Sequence, residues 1–233
     1  MMNLWLSRWA MLALGLYSTA AQALYVSDDV FVVESDKPYL SRQFYNDSQT
    51  SNIYLISMYQ IDRPGLSETA RPIPNGEVMY SPLSMMVNAG QFEYFKIFYR
   101  GPNDDQERYY RMVIREVPPN AVKDGEVIKD SMVSAIVALD TYAVIRPRQL
   151  RLKHEYHPEA GTLVNTGNTF LRVLLNKGCN AETEDEAVVV DLLPGEVLRH
   201  ERLRGQHRKF IVTNSQYLKL GEQCFDQQAT SAE

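Results

Sequence analysis

The chain has 233 residues, 45% of them hydrophobic and 23% charged, with a formal net charge of −5. That is a globular composition, long enough for one large domain or two of about 100 residues. The acidic balance argues against nucleic acid as a partner, which a basic surface would attract.

The first 23 residues read as a cleaved segment. Arg8 is followed by an apolar run from Trp9 to Tyr17 and then by Ala21-Gln22-Ala23. A cation, a short apolar stretch and an A-x-A site define a secretory signal. The run falls short of the ~20 residues a membrane helix needs. No second apolar stretch reaches that length, so neither an anchor nor stable membrane insertion is expected. Cleavage after Ala23 starts the mature chain at Leu24 and, by removing Arg8, moves the net charge from −5 to −6.

Past Leu24, helix signals are nearly absent. Short β-rich runs cover 24–34, 39–45, 52–61, 76–87, 92–99, 108–117 and 131–145, with Gly, Pro, Asn and Asp in the turns between them. Strands at that spacing predict an antiparallel sandwich. In the last run, Val133, Ala135, Val137 and Leu139 form one row of a period-2 pattern, and Ser134 and Asp140 belong to the other. Met132, Ile136 and Ala138 are apolar too, so composition leaves open which row faces inward. Arg146-Pro147 then marks a hinge, because Pro147 fixes its own φ and holds Arg146 extended. A smaller set of runs follows at 150–156, 161–167, 169–176, 187–193, 196–203, 209–214 and 217–222, and the end is polar. The expected organisation is a signal peptide over 1–23, one β domain over 24–147 and a second over 148–233. Cys179 and Cys224 both fall in the second. In an exported protein their expected state is a disulfide, the alternative being two buried thiols.

Chemistry-bearing motifs are missing. His154, His157, His200 and His207 lack zinc spacing with the cysteines. Nucleophile-elbow, zinc-protease and phosphate-loop patterns are absent. The acidic stretch 182–186 lacks the spacing and glycine of a calcium loop, and the basic stretch 199–209 reads as a solvated hairpin. No cofactor, metal or catalytic residue is expected.

The segment from Tyr80 to Pro119 resembles the first domain of periplasmic pilus (fimbrial) chaperones. It carries Ser81-Pro82 with Gly90-Gln91 downstream, then Glu107-Arg108, an aromatic strand, and Arg115-Glu116-Val117-Pro118-Pro119. "FYRGP", "ERYYR", "VIRPRQ", "GTLVNTGNTF" and "LLNKGC" are similar to the common-pilus (Ecp-type) chaperones, an alternate branch, and the similarity covers nearly all of 24–225. The resemblance implies an all-β fold of two immunoglobulin-like sandwiches in an L shape. It implies donor-strand complementation, in which the chaperone lends an edge strand to a pilus subunit that lacks one. The implied partners are pilins and an outer-membrane usher. Val133, Ala135, Val137 and Leu139 would be the donor residues, with Ile136 on the row backing the chaperone's own core. Glu107 and Arg146 match an interdomain ion pair whose third, acidic member is unassigned. The positions where the better-known branch holds a subunit's terminal carboxylate with an Arg and a Lys fall near Val30 and on Tyr142, so Tyr142 and Arg146 mark a candidate anchor region. Two rival readings are a two-sandwich pilin or adhesin, and a carbohydrate-binding sandwich. The first would need a free N-terminal donor extension. The second would need clustered Trp, yet Trp5 and Trp9 both lie in the signal segment.

Overall fold

In the computed structural model the described residues are 25–26, 30–65, 67–117, 119, 122–123, 126–127, 137–179, 187–213, 216–222 and 224. The signal segment, the acidic stretch 182–186, the polar end, and Val133 and Ala135 lie outside them.

The first unit contains β1 (Tyr25–Val26), β2 (Val30–Val33), β3 (Tyr39–Tyr45), β4 (Asn52–Ile61), β5 (Ala70–Arg71), β6 (Val78–Ser81), β7 (Ser84–Val87), β8 (Phe92–Tyr99), β9 (Arg108–Val117), β10 (Val122–Lys123), β11 (Glu126–Val127) and β12 (Val137–Ile145). One sheet has the order β1-β3-β8-β6. The other runs β2-β12-β9-β4-β5, with β7 also on β4. Two of the expected runs divide. Pro82 has no N–H to give a ladder, so 76–87 splits into β6, which pairs β8, and β7, which crosses to β4. The run 24–34 splits likewise, with β1 on β3 and β2 on β12.

Period-2 alternation fills the space between the sheets. Tyr54, Ile56 and Met58 from β4 meet Phe95 and Ile97 from β8 and Tyr110, Met112 and Ile114 from β9, all buried in one cluster. Burying side chains of this size contributes roughly 1.5–3 kcal/mol each before entropy is counted.

The second unit holds β13 (His154–His157), β14 (Thr162–Asn165), β15 (Leu171–Leu175), β16 (Val188–Leu192), β17 (Val197–Arg199), β18 (Lys209–Thr213) and β19 (Gln216–Lys219). Its sheets are β13-β14-β17 and β16-β15-β18-β19, closed over Leu163, Leu171, Val173, Leu175 and Ile211. Each sandwich uses one buried asparagine to close a turn. Asn46 donates to the carbonyls of Thr50 and Val87. Asn165 donates to those of Thr169 and Leu192. The basic stretch 199–209 is not uniformly solvated. Leu203 is fully buried, and Lys209, 1% exposed, donates to the Gly205 carbonyl at 2.9 Å while lying over the Tyr156 ring.

Cys179 and Cys224 form a disulfide across 45 residues, with Cα atoms 5.1 Å apart. A loop of that length constrains the unfolded chain by about 4 kcal/mol on the chain-entropy estimate. Cys224→Ser should therefore lower the unfolding free energy of the second sandwich by about that amount. Urea titration with a probe in each unit checks this, and the first unit's transition should stay where it is.

Candidate functional site

β12 is built as an edge whose two halves differ. On one side it pairs with β9 along its whole length, Val137 opposite Glu116 through Ile145 opposite Arg108. On the other side β2 runs parallel to it only from Tyr142 to Ile145. Among the described residues, no strand lies on that second side between Val137 and Asp140. An open stretch of backbone N–H and C=O groups next to a continuous apolar run is a template for another strand.

The parity of β12 is set by Asp140, which is exposed and sits 3.8 Å from Arg111 on β9. A carboxylate cannot face an apolar core without a large desolvation cost, so the odd-numbered row turns inward. Leu139 is half-buried against the first core, and Thr141, Ala143 and Ile145 are buried. Ala138 and Asp140 are exposed. The expectation that the even-numbered row backs the domain's own core is thus reversed over 138–143. The row to which Leu139 belongs is the inner face of the sandwich over 139–145. Val137 begins β12.

At the hinge end the outer row meets the second unit. Val144 is buried with Ile61, Tyr109 and Phe170, and Val30, Tyr142 and Leu193 pack around them. Arg146, 5% exposed, is the polar centre of this junction. Its Nε faces the Glu34 carboxylate at 3.0 Å, without the alignment of a linear hydrogen bond. A terminal nitrogen donates to Thr169 Oγ1 and, at 3.4 Å, to the Phe170 carbonyl. The guanidinium lies 4.4 Å from the centre of the Phe170 ring. Glu107 approaches from the other side, accepting from the Phe170 N–H at 2.9 Å, from Tyr109 Oη at 2.7 Å and from the Thr169 hydroxyl.

The expected Glu107–Arg146 pair is therefore indirect, with Thr169 between them. Arg146's ion-pair partner is Glu34, an acid of its own unit. Sequence reasoning missed Glu34 and Thr169. The available signal was an acid directly after the apolar β2, where an exposed turn would have served as well. Arg148 fastens the same corner by donating to the carbonyls of Glu34, Ser35 and Lys37 at 2.7–2.9 Å. Gly167 lets the linker pass: a Cβ there would sit 2.3 Å from the Arg151 carbonyl oxygen.

Tyr142 and Val30 face each other across neighbouring strands and line a cavity of about 320 Å³ at the junction. None of the residues lining it is basic. Arg146 lies instead along a neighbouring, larger cleft with Lys37, Arg42 and Arg172, its charge already faced by Glu34. Among the described residues no group of His, Cys, Asp or Glu could hold a metal ion, and no helix is long and apolar enough to cross a membrane.

No protein-family model matches the chain. Two solved chaperones share its fold. The E. coli chaperone DraB covers 86% of this chain and 98% of its own, with a TM-score of 0.53 and 14% identity. The periplasmic chaperone SfaE gives 84%, 98%, 0.52 and 11%. At such identities these show the fold, two β-sandwiches, and nothing finer. The sequence relatives go further. The probable fimbrial chaperone EcpE of Escherichia coli O127:H6 (strain E2348/69 / EPEC) is 36% identical over 205 residues, spanning 87% of this chain and 86% of that protein. The probable fimbrial chaperone EcpB of Klebsiella pneumoniae subsp. pneumoniae is 28% identical over 205 residues. The chain belongs to the family of fimbrial chaperones that includes EcpE.

Two outcomes follow from the junction. Arg146→Ala leaves Glu34 and Glu107 without a buried cation, a change that costs about 3–5 kcal/mol in buried pairs. Small-angle scattering should then show a broader spread of angles between the sandwiches. Glu107 gives a pH signature. Burial pushes its carboxyl above the usual range, against the opposing pull of Thr169, Tyr109, the Phe170 N–H and Arg146. A raised acid holds its proton more tightly when folded. Its contribution is complete below the unfolded value of about 4.3 and is lost as pH rises through the folded value. Glu107→Gln removes that slope. Between pH ~4 and ~7 the variant's unfolding free energy should gain on the wild type's, read by urea titration at each pH.

Proposed function

We propose that this fimbrial chaperone is an exported, non-enzymatic protein that caps pilus subunits with β12 and passes them to an outer-membrane usher. The observation that carries the reading is that, among the described residues, no strand pairs with the second edge of β12 between Val137 and Asp140, beside the half-buried Leu139. A subunit lacking one strand can pair along that edge, exchanging backbone hydrogen bonds with β12. In this reading Val133, Ala135 and Val137, which fall in the same period-2 row of the sequence as Leu139, would continue the first core into the groove of the subunit. Each Val or Leu buried this way contributes roughly 1.5–3 kcal/mol before association costs. Strand exchange replaces one ladder with another and needs no nucleotide. The signal segment, cleaved after Ala23, directs the chain to the periplasm.

Purification of the tagged protein from periplasm should yield a chain starting at Leu24 with pilus subunits bound. Three substitutions locate the contact. Val137→Asp places a carboxylate where a subunit core would enclose it, a cost of several kcal/mol, and should reduce capture at least a hundredfold while the protein stays folded. Ala138→Asp, on the exposed outer row, should leave capture unchanged. Leu139→Asp should lower the melting temperature as well, because Leu139 already packs on the first core. Normal capture by Val137→Asp would rule out β12 as the donor.

A further inference from the structure

The first core ends on an acid. The inner row of β9 is Tyr110, Met112 and Ile114, all buried, and its next member is the partly buried Glu116. Register sets Glu116 opposite Val137 on β12 and opposite Tyr54 on β4, and residues opposite one another share a face. Asp140 escapes to the outer row, but Glu116 stays at the end of the apolar row, level with the start of β12.

Its surroundings favour the neutral form. One carboxylate oxygen accepts from Asn52 Nδ2 at 2.7 Å, and Asn52, 5% exposed, also donates to Ser48 Oγ. The Tyr54 hydroxyl is buried and has no partner in hydrogen-bonding geometry, and burial together with the Glu116 charge pushes its pKa up to about 12. The other neighbours of this end are Met85 on β7, opposite Tyr54, and Phe44 on β3, whose ring centre lies 4.7 Å from that of Tyr54. Glu93 on β8 stands opposite Phe44 and is exposed, a second acid rather than a cation. Arg115 belongs to the outer row. Among the described residues no Lys, Arg or His faces Glu116, so burial raises its carboxyl above the usual range and only the Asn52 amide pulls the other way.

Capture by β12 brings a subunit core up to this end of the row, and the water around Glu116 has to leave. An ionised carboxyl without a cation resists that transfer, whereas the protonated form does not. We infer that capture of a subunit by β12 takes up one proton at Glu116, so that the grip tightens in acid and loosens towards neutral pH, an inference that rests on strand capture by that edge. A carboxyl that holds its proton more tightly in the complex than in the free chaperone adds affinity below its free value, and that affinity is lost as pH rises through the bound value. Within that window one proton changes the affinity by at most about tenfold per pH unit.

The test uses complexes of the tagged chaperone with the pilus subunit that co-purifies from periplasm, immobilised through the tag and washed at pH values from about 5 to about 8. Subunit retained against time should give a half-life roughly tenfold longer or more at pH ~5 than at pH ~7.5. Glu116→Gln, which keeps the shape and stays neutral, should hold its subunit near neutral pH as the wild type does in acid, with a flat profile. Asn52→Ala removes the amide that favours the charged form and should move the wild-type profile to higher pH, which keeps the test decisive if the Gln variant fails to fold. A profile that is flat in the wild type, or equally steep in Glu116→Gln, would overturn proton uptake at Glu116, while loss of all subunit from Val137→Asp would still support capture. Absence of any co-purified subunit would remove capture, and the proton with it.

Discussion

The geometry of this protein depends on a buried guanidinium. Arg146 ends the strand that leads out of the first sandwich, and its charge is sunk among Glu34, Thr169 and the Phe170 ring. Isolated, a buried charge of this kind costs several kcal/mol. Glu34 faces it from the first unit, and residues 169–170 of the second sandwich complete its surroundings with a hydroxyl and a ring face. Glu107 has the same requirement from the other side, since its carboxylate is served by the Phe170 N–H. One acid, Glu107, and one base, Arg146, from the first unit are thus both served by one dipeptide of the second. That makes the joint directional, where an apolar contact alone would let the units slide.

The same joint gives β12 its two characters. Where Val144 and Tyr142 lie under Phe170 and Leu193, the strand is held on both edges and on its outer face. Four residues earlier it has β9 on one edge and, among the described residues, no strand on the other. A clamped end holds the free end at a fixed height and tilt, which is what an added strand needs in order to find its register.

Much of this was legible in the chain. The β-rich runs and their turns are local signals, and they pointed to an all-β fold of two sandwiches. Parity was legible in part. Asp140 is one charge in a long apolar run, and its exclusion from the core decides the inner row, but the surrounding Ala and Val residues carry no such mark. Glu34 and Thr169 were not legible, because their roles exist only once two distant segments meet. The division of 76–87 at Pro82 and the burial of Lys209 were missed for a related reason. Proline signals a break without saying which sheet each half joins, and a lysine's surroundings depend on a tyrosine far away in the chain.

The clasp made by Arg148 has a consequence for how the molecule comes into being. It ties residue 148 to the carbonyls of Glu34, Ser35 and Lys37, across 114, 113 and 111 positions. β2 likewise waits for β12 as its neighbour. A chain that emerges N-terminus first must hold β2 without its sheet neighbour until well over half its length has followed. Closing so long a loop before any contact rewards it is a slow entropic step. The first sandwich, although encoded first, is therefore not the part that can be finished early. Its completion and the shaping of the joint belong to one late event, so a chain truncated before the hinge would leave an open sheet.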